Sequence, residues 1–516
     1  MRVRVEARGV WTGDPETPWA SHAELADGLF AADSGDPSAA LPLGDFWVLP
    51  GLIDSHLHLL MGGLSLARLD LSGVSTRAEF EAAISERASS LPSGAWLEAF
   101  GWDDRRLGGV RPDASWLRMA GNRCAVAWRC DQHVALANER AMAGLDLSAQ
   151  VPGGVIERAP NGTPTGIFIE QAAWRVLMPS IPAPSSNAKQ RALHAAARHL
   201  AALGVTSCGA MEYLADLEGT LAPLAHRGTM PLRVFATILD RDRPLPFTRA
   251  RALPTTATFR TIGFKSFADG TLGSSTAAMK SHFEDSAGSG ELVEHAREGT
   301  LSAWMAEVLA AGFSPSVHAI GDRALDEVLR AAQSVDHDHR TRFEHAQIVD
   351  PASLAHFAGR TLSMQPFHKA TDAPLVARRL GVAREDRVFR FREFVRHGAA
   401  LAFGSDWPIS SADPIQGMRT AITGAALDGR TYWTSQNLTP HEAIAAYTTG
   451  AAACLSPASH VGRIAPGFHA DFVALDRDPL SCDWLDAPPK VVLTAISGRV
   501  IYDAIGATTD STSTTR

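Results

Sequence analysis

Cysteine is scarce: five residues in a chain of 516. Cys124, Cys130, Cys208, Cys454 and Cys482 are scattered, odd in number and form no CxxC pair. This excludes a disulfide framework and a thiolate zinc site, and it fits a reducing cytoplasm. Long apolar runs are missing too. No stretch of about 18 uninterrupted apolar residues occurs, and the start meets Asp14 and Pro15 before any apolar region. The expectation is an unexported, cytoplasmic protein with no membrane partner. Excess positive charge is also absent, with 48 Lys+Arg against 56 Asp+Glu and a net charge of -8. Nothing here implies a basic face, so nucleic acid is not an expected partner.

What is present is ordinary globular composition, 45% hydrophobic and 20% charged, which excludes disordered, collagenous and coiled-coil classes. At roughly 150 residues per domain the length implies about three domains, relaxed because α/β barrels run long. Beyond residue 200, short β-branched or aromatic runs alternate with turns and Ala- and Leu-rich helical stretches, the signature of βα units on a parallel sheet. Candidate strands are Phe46 to His56, Val205 to Ala210, Leu232 to Ile238, Thr261 to Phe267, Ser314 to His318, Arg342 to His345, Thr361 to Gln365 and Ala400 to Asp406. Eight such units close a (β/α)8, TIM-like barrel, so the predicted class is α/β.

The gap between the first two strands exceeds one βα connection, so 62–184 is predicted to be an insertion in a barrel of 46–454. Within it, Trp96 to Gly101, Cys124 to Cys130 and Gly166 to Ile169 read as strands, with turns at Pro152-Gly153-Gly154 and Asn161-Gly162. Residues 1–45 and 455–506 carry short β and turn signals and are predicted to form a small composite β-sandwich. The Ser/Thr-rich tail 507–516 reads as disordered.

The first strand ends in Asp54-Ser-His56-Leu-His58. In a strand, His56 and His58 share a face, and two imidazoles at one strand end can grip a divalent ion. Among 19 histidines such a pair also arises by chance. The other strand ends add weight: Lys265 closes the fourth strand, His318 the fifth, His345 the sixth and Asp406 the eighth. Barrel enzymes gather catalytic groups at these ends, so the six positions are expected to converge.

At this point the sequence resembles the amidohydrolase superfamily, and within it the amidohydrolase 3 family of N-substituted formamide deformylase-like metal-dependent hydrolases. The resemblance runs through PGLIDSHLHL at 50–59, Asp131-Gln132-His133 with Asn138, Pro164-Thr-Gly166-Ile with Glu170, and GFKSFADGTLGS at 263–274. It continues through His318-Ala-Ile-Gly-Asp322, Glu344-His345-Ala-Gln347, Gln365-Pro366 with His368 and Asp372, GSDWPI at 404–409, and Gly462-Arg-Ile-Ala-Pro-Gly467 with Ala470-Asp471. Gln132 departs from the family, which more often has Gly there. The resemblance implies that His56, His58 and Asp406 hold one metal, His318 and His345 a second, and an N-carboxylated Lys265 bridges them.

Zinc suits neutral imidazoles and carboxylates, whereas an ammonium with a reference pKa of about 10.4 repels a dication. The alternative reading of Lys265 is a salt bridge to Asp269 or to another acid, which would leave a one-metal site. A bound ion acidifies water and polarises a carbonyl, and Asp406 can carry a proton from that water to a leaving nitrogen. The expected activity is hydrolysis of a non-peptide C–N bond in a small amide, formamide or N-acyl compound, with a homodimer left open. By resemblance His133 contacts substrate or oxyanion; it reads equally as a structural loop histidine. Trp102, Glu170, Phe267, Asp269, Gln365, His368 and Trp407 are pocket candidates, and Asp322 and Glu344 are candidates for orienting ligands. Two other classes compete: a serine amidase using Gly273-Ser274-Ser275, and an inactive barrel serving as a binding protein.

Overall fold

The computed structural model describes every residue except 1, 36, 152, 242, 457 and 506–516. The predicted disordered tail and Pro152 of one predicted turn lie outside the described residues. The chain divides into two compact units, Met1–Leu59 with Ala196–Arg516, and Leu60–Ala195.

In the larger unit, eight strands follow one another in parallel: β1 (Leu52–Leu57), β2 (Val205–Glu212), β3 (Arg233–Ile238), β4 (Phe259–Phe267), β5 (Ser314–Ala319), β6 (Arg342–His345), β7 (Thr361–Met364) and β8 (Ala400–Phe403). All residues of β1, β2 and β3 are buried, as strands covered on both faces require. The ring is drawn together just past β8, where Asp406 N–H donates to His56 O (2.7 Å) and His58 N–H to Trp407 O (2.8 Å). That approach needs Gly404, because a Cβ there would lie 2.5 Å from the His56 nitrogen.

Two predicted boundaries change. The run Phe46 to His56 is not one strand: Trp47–Pro50 belongs to another sheet, and β1 begins at Leu52. The break falls at Gly51, where a Cβ would lie 2.2 Å from Thr206 Oγ1. Asp406 is not in the last strand either. It lies three residues beyond, in a turn, because its N–H bonds back to β1.

Strands from both chain ends build a second sheet, in the order Arg499–Asp503, Val491–Ile496, Phe472–Leu475, Trp47–Pro50, Arg2–Trp11, Trp19–Ala26 and Leu29–Ala31, with Ala39–Pro42 paired on Arg2–Trp11. Where the sequence predicts a sandwich, the hydrogen bonding is that of one continuous sheet. Val5, Val10, Phe30, Val48, Phe472 and Leu493 form part of its core.

The Leu60–Ala195 unit holds a six-stranded sheet. The predicted strands appear as Leu97–Trp102, Ala125–Arg129 and Pro164–Glu170, joined by Leu69–Asp70, Val134–Ala137 and Gly154–Arg158. Its helix α1 (Arg77–Ser90) starts at a Thr76/Glu79 capping box and buries Phe80 and Ile84, satisfying two end N–H groups while seating the helix on the sheet's core. All five cysteines are free. Among the described residues no helix is long and apolar enough to cross a membrane.

Candidate metal centre

The barrel brings all six predicted ligands, Lys265 among them, to one end of the ring. His56 directs Nε2 toward Asp406 Oδ1 (3.4 Å), as does His58 Nε2 (3.4 Å). Lys265 Nζ lies 3.3 Å from the same His56 Nε2. The His345 ring centroid is 5.0 Å from that of His56 and 4.4 Å from that of His318. The donor atoms of His56, His58 and Asp406 all lie within 4.8 Å of one another, and so do those of His345, His368 and Asp406.

The hydrogen bonds behind the imidazoles decide which nitrogen faces the centre. His56 Nδ1 donates to Glu344 Oε2 (2.7 Å), leaving Nε2 as the free lone pair. Glu344 itself accepts from Ser316 Oγ (2.6 Å) and forms an ion pair with Arg342 (3.0 Å). His345 Nδ1 donates to Gln365 Oε1 (2.7 Å), again freeing Nε2. His318 is the reverse case: its Nε2 donates to Gly270 O (3.0 Å), so Nδ1 is its free donor. A ligand imidazole held by its other N–H is the usual support of a metal site.

The electrostatics agree with lone pairs ready to coordinate. Burial, reinforced by Lys265, lowers His56 to about 4 and His318 to about 3, and burial holds His345 well below the usual imidazole range. These rings are neutral at pH 7. Burial works against a charge on Glu344, yet Arg342 and His56 hold it well below the usual carboxylate range. Burial likewise opposes charge on Asp406, which the surrounding histidines keep low. Burial lowers Lys265 to about 8, so an appreciable share of its amine is neutral and nucleophilic. Two residues of the cluster hold left-handed backbone, His345 at φ 69° and Asp406 at φ 60°. Such conformations cost of order 1–3 kcal/mol each and concentrate at functional sites.

The pocket candidates divide. Gln365 is buried and positions His345 rather than lining a pocket. Asp269 is neither a wall nor the partner of Lys265: it accepts N–H bonds from Ala278, Ile320 and Gly321 and lies 3.5 Å from His318 Nε2, while burial lifts it to about 7. Phe267 packs against His318. Trp407 stacks on His199 (5.3 Å). Glu344 orients His56, not its neighbour His345. Asp322 accepts from Lys280 N–H and pairs with Arg387, so it orients no ligand. Ser316 and Arg342 were not singled out in the sequence. Their signal was polar residues inside buried strands, at period-two spacing from His318 and Glu344.

Trp102, His133 and Glu170 belong to the Leu60–Ala195 unit. Trp102 is core, its indole N–H donating to Ala127 O. His133 Nδ1 bonds Glu170 Oε2 (2.9 Å) beside the Trp174 ring. Gln132 adopts φ 61°, a left-handed conformation that glycine takes at less cost.

A parallel barrel with imidazoles and a carboxylate gathered at the strands' carboxyl ends defines the class of metal-dependent barrel hydrolases. Residues 43–502 match the amidohydrolase family profile, and the chain belongs to that family. Protein LONG AFTER FAR-RED 3 of Arabidopsis thaliana is 31% identical over 533 residues, covering 96% of this chain and 90% of that protein. N-substituted formamide deformylase of Arthrobacter pascens is 25% identical over 485 residues, 89% of each chain. The crystal structure of an uncharacterized metal-dependent hydrolase from Pyrococcus horikoshii OT3 has a TM-score of 0.78 at 26% identity, covering 94% of this chain and 99% of that one.

Proposed function

We propose that this hydrolase cleaves the C–N bond of small amide, formamide or N-acyl compounds at the His56–Asp406 cluster, using a divalent ion, zinc by its donor chemistry. The observation that carries this is the fixed tautomer of three imidazoles: His56, His318 and His345 spend one ring nitrogen on Glu344, Gly270 and Gln365 respectively and leave the other free to coordinate. Three neutral imidazoles and an anionic carboxylate suit zinc. Lys265 as an ammonium does not. Its neutral amine can add carbon dioxide, giving a carbamate and releasing a proton, which converts a repelling cation into an anionic oxygen donor. On this reading His56, His58 and Asp406 would hold one ion and His318 and His345 a second, with carboxylated Lys265 as an anionic donor available to both.

A bound ion supplies Lewis acidity and lowers the pKa of water toward 7. The chain's own part is positioning and proton transfer. Asp406 accepts the proton of the attacking water on its carboxylate and returns it to the leaving nitrogen, so the acyl carbon gains oxygen as the C–N bond breaks. Relatedness to N-substituted formamide deformylase supports formamides as the first substrates to assay. The serine alternative has no support among the described residues: Ser274 Oγ bonds the Thr271 and Thr276 hydroxyls (2.8 and 2.7 Å), and neither is a base.

The test is a panel of formamides, N-acyl amines and carbamates on metal-analysed protein, with and without chelator, beside Asp406→Asn. General acid-base groups contribute about 10² to 10⁴-fold. Asp406→Asn should therefore lose at least about two decades of kcat while keeping the ion on the His56/His58 side. Undiminished turnover by metal-free protein overturns the proposal, and near-normal kcat in Asp406→Asn removes the shuttle.

A further inference from the structure

His368 opens α2 (Pro366–Leu380), the helix that follows β7, and its Nε2 is buried without a hydrogen-bond partner. Leaving a buried polar nitrogen unpaired is costly unless something absent from the protein satisfies it. Three observations say where that something sits. The Nε2 lies 3.9 Å from Asp406 Oδ2, whereas His56 and His58 face the other oxygen, Oδ1. The His368 ring lies parallel to that of His345, 7° apart in plane with centroids 6.0 Å apart. The free donor of His345 is Nε2, because Gln365, three residues before His368, holds its Nδ1.

Resting on the metal-hydrolase reading, we infer that His368 is a ligand of the second ion, which is held by His345, His368 and Asp406; His368 takes the place given above to His318, whose ring nitrogens belong to neither cluster of donor atoms lying within 4.8 Å of one another. Asp406 then spans the two ions, giving Oδ1 to the His56/His58 side and Oδ2 to the His345/His368 side. Donors around a tetrahedral zinc with bonds of about 2.0–2.1 Å lie about 3.4 Å apart, so the 3.9 Å gap closes by a small adjustment. Neutral imidazole, imidazole and carboxylate are a complete three-residue zinc set with one position open to water or substrate. The second ion therefore binds without a carboxylated Lys265, whose role is reduced to an optional bridge.

The experiment titrates Zn²⁺ into metal-free wild type, His368→Ala, His368→Gln, Lys265→Ala and His56→Ala, by competition with a chromophoric chelator, with elemental analysis and circular dichroism of each. Bicarbonate-depleted buffer keeps Lys265 unmodified. Wild type and Lys265→Ala should take up two ions, and both His368 variants one, with the second affinity weakened by more than the about 10–100-fold typical of outer-layer changes. Two ions at wild-type affinity in folded His368→Ala or His368→Gln overturn the inference. One ion in Lys265→Ala overturns the lysine-independent part. Wild type that binds a single ion, lost in His56→Ala, overturns the second-ion site and leaves the hydrolase reading standing. No uptake by wild type overturns both.

Discussion

Glu344 shows how much one side chain carries. It is fully buried, accepts from Ser316 and His56, pairs with Arg342, and lies under the imidazole it orients. Its charge offsets Arg342 and fixes the His56 tautomer. In Glu344→Gln the amide oxygen can still accept the His56 proton but the charge is gone. Zinc affinity should fall about 10–100-fold, the range for outer-layer partners. Losing one partner of a buried pair typically costs about 3–5 kcal/mol, so the thermal midpoint should fall as well. Isothermal titration and calorimetry on one preparation read both; unchanged zinc affinity would show that His56 needs no orienting carboxylate.

At the scale of elements, α2 carries two buried cationic or potentially cationic groups in succession, and they differ in kind. His368 aims at the ligand cluster. Lys369 is wholly buried, and its Nζ has no hydrogen-bond partner; the rings of Phe391 and Trp433 lie 6.0 Å away. Burial lowers it to about 8. Cation–π contacts return about 0.5–2 kcal/mol, less than the several kcal/mol an unpaired buried ion costs. Methionine has the same reach without the ammonium, so Lys369→Met should stabilise the protein by about 1–3 kcal/mol, read as a higher thermal midpoint. A lower midpoint would mean that the ammonium is needed where it lies.

At the scale of the molecule, the barrel and the sheet built from both chain ends are joined by a buried guanidinium–carboxylate pair. Arg233, the first residue of β3, donates to Asp471 through Nε (2.5 Å) and Nη2 (3.0 Å), and also to Ser497 Oγ (2.6 Å). Both side chains are almost completely enclosed, and Gly51 N–H donates to the Asp471 carbonyl at the break between the two sheets. Asp471→Ala strands the Arg233 charge and should cost about 3–5 kcal/mol, whereas the double change Arg233→Met with Asp471→Leu should recover most of it. Denaturant unfolding distinguishes these outcomes; a single variant as stable as wild type would show that water reaches the pair.

Local pattern made much of this legible. Alternation of apolar runs and turns located all eight barrel strands, because a strand buried on both faces must be short and apolar wherever it sits. The placement of His56, Lys265, His318 and His345 at strand ends followed from the same counting. Long-range geometry was not legible. Phe46 to His56 reads as one β run, and only pairing with distant strands divides it at Gly51, where Thr206 leaves no room for a Cβ. Asp406 leaves β8 because its backbone pairs with His56. His56 takes its proton acceptor from Glu344, 288 residues away, although the sequence places Glu344 beside His345. Spacing along a strand fixes which face a residue shares, since side chains alternate with period two. Which residues meet across the ring depends on how neighbouring strands are staggered, and that is set only when the barrel closes.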